Sequence, residues 1–293
     1  MKIPVIVLTL FVTLSIACKD KPAPNTTEDQ QINTLNLKLK NAQKEKETNT
    51  ISYEWHNVKD WLLNHQTDTK KLAIAYAINR TDSSNFARMD SVIVPTNLGY
   101  DLAIYMPFPL YVEKLSSINK VLFFSYTYQT FAAYENGVLV FTGPTNMGNK
   151  RNLTPTGLFF SNWKAEETTS TFNDEWILKW NFNIVNNEGI GWHEYSMPGY
   201  PASHSCLRLQ KKDAQNLYNW ADQWMLSTND TVLAKGTPVI VFGKYDFNSP
   251  KPWMQLLSNS HTNDISVDNL LSIIQPYFNE ILLAQKNRDF VQI

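Results

Sequence analysis

The chain has 293 residues, a formal net charge of −1 and 13% aromatic residues, among them nine Trp. A chain of this length can bury a core without disulfide or metal staples, and it has room for a main domain with smaller flanking segments. The near-neutral charge argues against a nucleic-acid-binding protein, which would present a basic face, so we expect no nucleic-acid partner.

Residues 1–18 are typical of an export signal. One Lys is followed by an apolar run too short for a flanked membrane-spanning helix, and the run ends in Ser15-Ile-Ala-Cys18. This ending resembles a bacterial lipoprotein signal, in which the cysteine becomes the lipidated first residue. We therefore expect lipidation of Cys18 and a periplasmic, membrane-anchored location in the bacterial cell envelope. An ordinary cleaved signal peptide is the alternative.

The next two segments differ in hydrophobicity. Residues 19–50 are rich in Lys, Asp, Asn, Thr and Gln, which predicts a flexible tether with at most a frayed helix around 32–46. Residues 51–115 are predicted to form a small helical subdomain and a linker, because apolar residues recur at helical spacing around Trp61 and Tyr76. The end of this subdomain weakly resembles a LysM module, a small peptidoglycan-binding unit.

Residues 116–246 change to alternating apolar and polar positions, which predicts a mainly antiparallel sheet domain and an α+β fold class. A β-hairpin is predicted where 121–134 and 138–142 flank Asn136-Gly137, a dipeptide preferred in tight turns. Further strands are predicted at 158–163, 176–185 and 236–243, and a helix at 213–224. Residues 247–293 are predicted to form a C-terminal helical extension that is interrupted at Pro276.

Cys206 is the candidate nucleophile. The other cysteine, Cys18, is expected to carry lipid or to lie on a flexible tail, so we expect Cys206 to have no disulfide partner within the chain. It stands two residues after His204, thirteen after His193 and two before Arg208. A thiol needs a base to become a thiolate, donors that stabilise an oxyanion, and often a cation for an anionic substrate. A buried, inert cysteine that packs as a small hydrophobe is the alternative.

The remaining histidines give no sign of a metal site. His56 and His65 lack companion ligands at metal-binding spacing, and His261 lies in a polar turn. The sequence also has no glycine-rich phosphate-binding loop. We therefore expect neither a metal nor a cofactor.

Several motifs in one order resemble the L,D-transpeptidase (YkuD-type) catalytic domain of bacterial cell-wall synthesis. They are Tyr134-Glu-Asn-Gly137, Thr154-Pro-Thr-Gly157, the His193 segment, Ser203-His-Ser-Cys-Leu-Arg208 and Gly236-Thr-Pro-Val239. The resemblance covers roughly residues 117–245. It implies a β-sandwich-like domain with the cysteine on a loop between strand and helix. It also implies a cysteine-dependent transpeptidase that acts on peptidoglycan stem peptides through a thioester, with cross-linking or exchange as the outcome.

The resemblance also implies residue roles. His193 is the general base and acid for Cys206, Ser203 and His204 shape the pocket, and backbone N–H groups around Ser205 and Cys206 form the oxyanion site. For His204, an orienting role is the alternative. Arg208, Tyr200 and Trp192 are expected to bind substrate, although an ion pair between Arg208 and Asp213 is an alternative for Arg208. Two residues depart from the family pattern, because Ser205 replaces a glycine and Glu194 replaces a small residue.

Two other functions stay open at this point. One is an L,D-carboxypeptidase or amidase on the same scaffold, with water as the acceptor. The other is a wall-binding lipoprotein whose site is weakened by Ser205. In each case we expect a monomer whose partners are peptidoglycan and, through the lipid anchor, a membrane.

Overall fold

The computed structural model describes residues 26–170, 173 and 176–292. The expected signal peptide and Cys18 lie outside the described residues. The strands in this range are β1 (Tyr53–Asn57), β2 (Ser91–Pro95), β3 (Lys120–Ser125), β4 (Thr130–Glu135), β5 (Val138–Pro144), β6 (Gly157–Phe160), β7 (Lys164–Thr169), β8 (Ile177–Val185), β9 (Ile190–Glu194), β10 (Leu207–Leu209), β11 (Met225–Leu226), β12 (Val232–Ala234) and β13 (Pro238–Phe242).

The helices lie before, between and after these strands. They are α1 (Thr26–Thr48), α2 (Val58–His65), α3 (Thr69–Ile78), α4 (Ser83–Phe86), α5 (Leu102–Tyr105), α6 (Lys211–Trp220), α7 (Val267–Ile274) and α8 (Phe278–Gln292), with 3₁₀ turns at Glu113–Leu115, Pro252–Leu257 and Gln275–Tyr277. Within the described ranges, no helix combines the length and the apolar character needed to cross a membrane.

Two sheets form the centre of the fold. The larger has the strand order β5-β4-β3-β13-β6, and the smaller has the order β10-β9-β8-β7. Within the described residues, β13–β3 and β10–β9 pair in parallel, whereas the other neighbours in these sheets are antiparallel. Side chains from both sheets, such as Phe124, Phe182 and Trp192, belong to one buried cluster. The predicted α+β class with mainly antiparallel sheets is confirmed.

The predicted hairpin at Asn136-Gly137 joins β4 to β5. Both residues have positive φ, +46° and +79°, as a tight hairpin turn requires. The prediction of one strand over 121–134 was wrong, because β3 and β4 are separated by a turn at 126–129. Gln129 fixes this turn: its side chain donates to the Tyr126 carbonyl at 2.6 Å and accepts from Met147 N at 2.7 Å. Apolar residues alternate through the turn, so the pattern hides it.

The segment 51–115 is not a purely helical subdomain. Strands β1 and β2 pair antiparallel around α2, α3 and α4. Strand β1 was not predicted because only Tyr53 in it is buried, and Glu54 and Trp55 are both exposed, so the strand lacks an alternating apolar pattern. Val58 and Trp61 pack in a local cluster, whereas Ile74, Ile78 and Ile93 belong to the core shared with the two large sheets. The resemblance to a LysM module stays a prediction.

The chain divides into two units, residues 1–38 and 39–293. In the second unit the end of α1 is fixed rather than flexible, so the prediction of a tether was wrong there. The Lys46 side chain is buried, and its Nζ donates to the carbonyls of Ala103, Met106 and Phe108 at 2.7, 2.6 and 2.6 Å. A buried ammonium group is tolerated only where acceptors replace its water. These three carbonyls therefore hold the end of α1 against residues 103–108.

The C-terminal extension covers the second face of the larger sheet. α7 ends before Pro276, a short 3₁₀ turn follows, and α8 begins at Phe278. Leu270, Ile274 and Ile281 pack with side chains of β3 and β13 in a second buried cluster. This packing agrees with the expected helical extension.

Candidate active site

The parallel pairing of β9 and β10 brings the candidate residues together. Arg208 is in register with His193, and both side chains line a cavity of about 240 Å³. The next positions in register, Leu207 and Trp192, are fully buried in the core on the other face. Cys206 precedes β10 by one residue and lines the same cavity as His193. Strand alternation therefore selects which side chains reach the site.

A loop before β6 holds the cysteine segment. Met147 O accepts from Ser203 N at 3.0 Å, and Asn149 donates through both its N and its Nδ2 to Ser203 O at 2.9 Å. Thr154 Oγ1 donates to Ser205 O at 2.8 Å. The expected role of Ser203 in shaping the pocket has a structural basis, since its buried hydroxyl donates to the Cys206 carbonyl at 2.5 Å. These bonds fix the backbone on both sides of the thiol.

His193 is buried and has a defined tautomer. Its Nδ1 lies 3.0 Å from the Glu194 carbonyl oxygen. A carbonyl only accepts, so Nδ1 carries the hydrogen and Nε2 carries the lone pair. Burial lowers the pKa of His193 to about 4, the Glu194 hydrogen bond raises it, and nearby Arg208 lowers it. The imidazole is therefore neutral near pH 7 and can accept a proton.

The Cys206 thiol is enclosed but polar in its surroundings. Burial raises its pKa, whereas the Gly191 N–H and the charge of Arg208 lower it. The sulfur lies 3.9 Å from the Gly189 carbonyl oxygen. Gly191 is required here, because a Cβ at this position would lie 2.2 Å from the Phe182 carbonyl oxygen. Burial outweighs the two lowering effects, so the resting thiol is neutral and depends on a base for activation.

The segment around Cys206 differs from the expected turn into a helix. Cys206 leads into β10, and α6 begins only at Lys211. The backbone N–H groups of Ser205 and Cys206 nevertheless have no acceptor within the part of the chain that the structure describes. They are available as oxyanion donors. His204 lines the cavity, with its ring centroid 5.1 Å from that of Trp176.

Arg208 lies over an aromatic ring rather than beside a carboxylate. Its guanidinium carbon is 4.5 Å from the centroid of Tyr195, and Nη1 donates to Ser196 O at 3.2 Å. Among the described residues it forms no ion pair with Asp213. Burial raises the pKa of the Asp213 carboxyl to about 7. The Arg208–Asp213 alternative is therefore wrong, and the cation remains available at the cavity.

Two expected substrate-binding residues do not reach the cavity. Trp192 is fully buried and stacks at 4.6 Å between ring centroids against Phe182. It faces the core because it is one position removed from His193 along β9. Tyr200 is 49% exposed, and its ring lies 5.6 Å from Lys251 Nζ, outside the cavity lining. Both assignments are corrected.

Several residues that line the cavity were not predicted from the sequence, among them Tyr195, Trp176 and Leu178. Tyr195 lies two positions after His193, and its ring contacts the imidazole at 5.7 Å between centroids. Strand alternation from His193 could have found it. Trp176 and Leu178 come from β8 and the segment before it, and no sequence signal places them near Cys206. Among the described residues, no three His, Cys, Asp or Glu side chains are placed to hold a metal.

Comparisons with known proteins identify the domain that contains this cavity. Residues 119–241 match the family model of the L,D-transpeptidase catalytic domain, YkuD. No curated protein matches the chain. Solved L,D-transpeptidases that are similar to it come from Stackebrandtia nassauensis (24% identity, TM-score 0.36), Mycobacterium smegmatis (19%, 0.34) and Mycobacterium tuberculosis H37Rv (21%, 0.35).

Each of these three matches covers 43% of this chain, and the matched region spans 57%, 59% and 58% of the solved chains, respectively. The family model includes the hairpin, the cysteine segment and most of β13. By the family model, residues 119–241 of this chain are similar to the L,D-transpeptidase catalytic domain, YkuD.

Proposed function

We propose that the chain is an L,D-transpeptidase that uses Cys206 as its nucleophile on peptidoglycan stem peptides. The observation that carries this proposal is the shared cavity of Cys206 and His193, with the His193 tautomer fixed by Glu194. A neutral thiol and a neutral imidazole that line one cavity can form a thiolate–imidazolium pair when substrate binds. The YkuD domain match supports the same reaction class.

In the first half-reaction, the Cys206 sulfur attacks the carbonyl carbon of the amide that precedes the terminal D-alanine. His193 Nε2 takes the thiol proton, and the carbonyl electrons move to an oxyanion that faces the N–H groups of Ser205 and Cys206. When the intermediate collapses, the C–N bond breaks and His193 gives the proton to the leaving amine. The products are a thioester on Cys206 and free D-alanine.

In the second half-reaction, the amine of another stem attacks the thioester carbonyl. A new C–N bond forms, the C–S bond breaks, and the amine proton passes through His193 back to the sulfur. Arg208 contributes a fixed positive charge at the cavity wall, suited to a substrate carboxylate. Water in place of the amine would give the carboxypeptidase outcome, so the acceptor determines the product.

The location of the protein belongs to the same proposal. We propose that Cys18 is lipidated and holds the domain at the periplasmic face of a bacterial membrane, next to its peptidoglycan substrate. The support is the small-residue ending Ser15-Ile-Ala-Cys18. A Cys18→Ala variant should then leave the membrane fraction, and a variant that stays there would contradict the anchor.

Intact-protein mass spectrometry with a stem tetrapeptide tests the chemistry. Wild-type protein should gain the mass of a tripeptide acyl group and release D-alanine. Cys206→Ser should gain none, and His193→Ala should be acylated at least about 100-fold more slowly, the usual scale of general base catalysis. Circular dichroism of both variants controls for folding. Wild-type protein that forms no adduct, or a Cys206→Ser variant that turns over substrate, would refute the proposal.

A further inference from the structure

A second groove meets the thiol cavity at Tyr195. Its volume is about 640 Å³, and it is lined by side chains from the ends of β8 and β9 and from the start of α6. Tyr195 lines both the groove and the thiol cavity. We name it the lysine groove, after Lys179, Lys211 and Lys212 in its lining, which also includes Glu194.

The lysine groove carries positive charge without counterions. Lys179, Lys211 and Lys212 are exposed, and none forms an ion pair within the described residues. The other carboxylate of the groove, Asp82, is already occupied, since it accepts from the backbone N–H groups of Asn85 and Met197. Three unpaired ammonium groups around one concave surface favour an occupant that carries carboxylates.

Glu194 supplies the opposite charge in the lining of the lysine groove, next in sequence to the shared Tyr195. It is in register with Lys179 across β8 and β9, yet the two side chains form no ion pair among the described residues. Its Oε2 is shielded from solvent and has no hydrogen-bond donor in the described part of the chain. A buried carboxylate oxygen without a donor is unfavourable. A ligand N–H group, above all an ammonium, would satisfy it.

We propose that the lysine groove binds the acceptor, an anionic peptide whose primary amine lies at Glu194 and whose carboxylates lie at the lysines. This rests on the proposed function, because acyl transfer requires a second substrate. Once the thioester has formed, the donor acyl group occupies the thiol cavity beside Cys206 and His193. The amine then needs a separate approach, and the groove supplies one that reaches the cavity at Tyr195.

A binding cycle tests the groove without turnover. Full-length Cys206→Ala protein is titrated calorimetrically with a stem peptide that carries a free side-chain amine, and with the same peptide after acetylation of that amine. Acetylation should weaken binding about tenfold, the effect of losing one charge-assisted hydrogen bond of about 1.4 kcal/mol. In the Cys206→Ala, Glu194→Gln protein, acetylation should have little effect, because both changes remove the same interaction.

A matched control uses Glu167→Gln. Glu167 is an exposed carboxylate on β7 that lines neither cavity, so this change should leave the effect of acetylation intact. If acetylation weakened binding equally in Cys206→Ala protein and in Cys206→Ala, Glu194→Gln protein, the proposal would be overturned. Acetylation that did not weaken binding to Cys206→Ala protein, in which Glu194 is intact, would overturn it as well.

Single-turnover kinetics then separate acceptor from donor. With Cys206 present, Glu194→Gln should raise the acceptor concentration for half-maximal transfer about tenfold, whereas Glu167→Gln should leave that concentration unchanged. A slower thioester formation with unchanged acceptor dependence would place the donor in the groove and overturn the proposal. If no thioester forms in wild-type protein, the proposed function fails, and the binding cycle still decides whether the groove recognises the amine.

Discussion

Ser205 has a backbone conformation that few non-glycine residues adopt. Its φ is +78°, immediately before Cys206. In this region the Cβ of an L-residue approaches the backbone carbonyl, at a cost of about 1–2 kcal/mol. The carbonyl of Ser205 is held by Thr154 Oγ1 and that of Cys206 by Ser203 Oγ, so the loop keeps this conformation. The strain lies directly beside Cys206, the candidate nucleophile.

We expect Ser205→Gly to stabilise the protein by about 1 kcal/mol, because glycine accepts positive φ without the Cβ penalty. Urea unfolding monitored by Trp fluorescence measures the change as a higher midpoint. Ser205→Ala is the matched control, since it removes the hydroxyl but keeps the Cβ, and it should give no gain. Equal stabilisation by Ala and Gly would show that backbone strain is not the cause.

The neutral state of His193 makes stability depend on pH. In an unfolded chain histidine titrates near pH 6.5, whereas burial lowers the pKa of His193 to about 4 in the folded protein. Between these values the unfolded chain binds more protons, so the free energy of unfolding falls as the pH falls. The contribution is complete above pH 6.5, and roughly 3 kcal/mol should be lost on reaching pH 4.

The matched variant for this expectation is His193→Gln, which keeps a polar side chain but does not titrate. Carboxylates titrate in both proteins, so the difference between their unfolding free energies isolates His193. Urea unfolding at intervals from pH 7 to pH 4 should show wild-type protein losing its advantage over the variant. Two curves that stay parallel over this range would show that His193 titrates normally.

At the scale of elements, the end of α1 depends on one buried lysine. We expect Lys46→Met to reduce the free energy of unfolding by roughly 3 kcal/mol, since three carbonyls each lose a donor worth about 1 kcal/mol. Lys40→Met is the control on the same helix. Lys40 pairs with Glu113 at 2.8 Å in an exposed position, where an ion pair contributes about 0–1 kcal/mol.

Urea unfolding measures both lysine variants, and hydrogen exchange shows where the structure opens. Amides of residues 102–108 should lose protection in Lys46→Met and keep it in Lys40→Met, because the three acceptor carbonyls belong to this segment. Similar effects of the two substitutions would mean that the buried hydrogen bonds do not fix the helix.

Elements were predicted correctly from the sequence where one hydrophobic periodicity or one turn-forming residue dominates the segment. The turn at Asn136-Gly137, the strand at 236–243 and the break at Pro276 follow from local chemistry alone. Trp192 was misassigned because its burial depends on the pairing of β9 with β10, and no local pattern encodes that register. The turn at 126–129 was missed because its hydrogen-bond partner, Met147, is distant in sequence.

The candidate site was likewise predictable only in those parts that depend on local sequence. Cys206, His193 and Arg208 could be predicted because a thiol, a base and a cation near one another in the sequence indicate acyl transfer chemistry. Trp176 and the lysine groove could not, because they come together only when β8, β9 and α6 pack. Residue types indicate which reaction a site can catalyse, whereas the tertiary structure determines which side chains line its cavity and groove.

At the scale of the whole molecule, residues 51–95 are part of the catalytic core. Buried Arg80 donates through Nε to the Tyr128 carbonyl at 2.7 Å, and its own carbonyl accepts from Asn146 Nδ2 at 3.0 Å. Thr81 Oγ1 donates to Met197 O at 2.9 Å, next to the segment that carries Cys206. A boundary between a helical subdomain and a separate catalytic domain was predicted at residue 116. The buried core is continuous across that position.

We expect residues 39–293 to unfold in one cooperative transition and a fragment of residues 116–293 to remain unfolded. The fragment lacks Ile74, Ile78 and Ile93, whose burial contributes to the core shared by both sheets, and leaves apolar surface exposed. Loss of each such side chain costs about 2–5 kcal/mol, and the three losses together are comparable to the roughly 5–15 kcal/mol stability of a typical domain. Calorimetry and near-UV circular dichroism measure both proteins. Two separate transitions in 39–293, or a folded and acylatable 116–293 fragment, would show that the sheets are stable without the preceding segment.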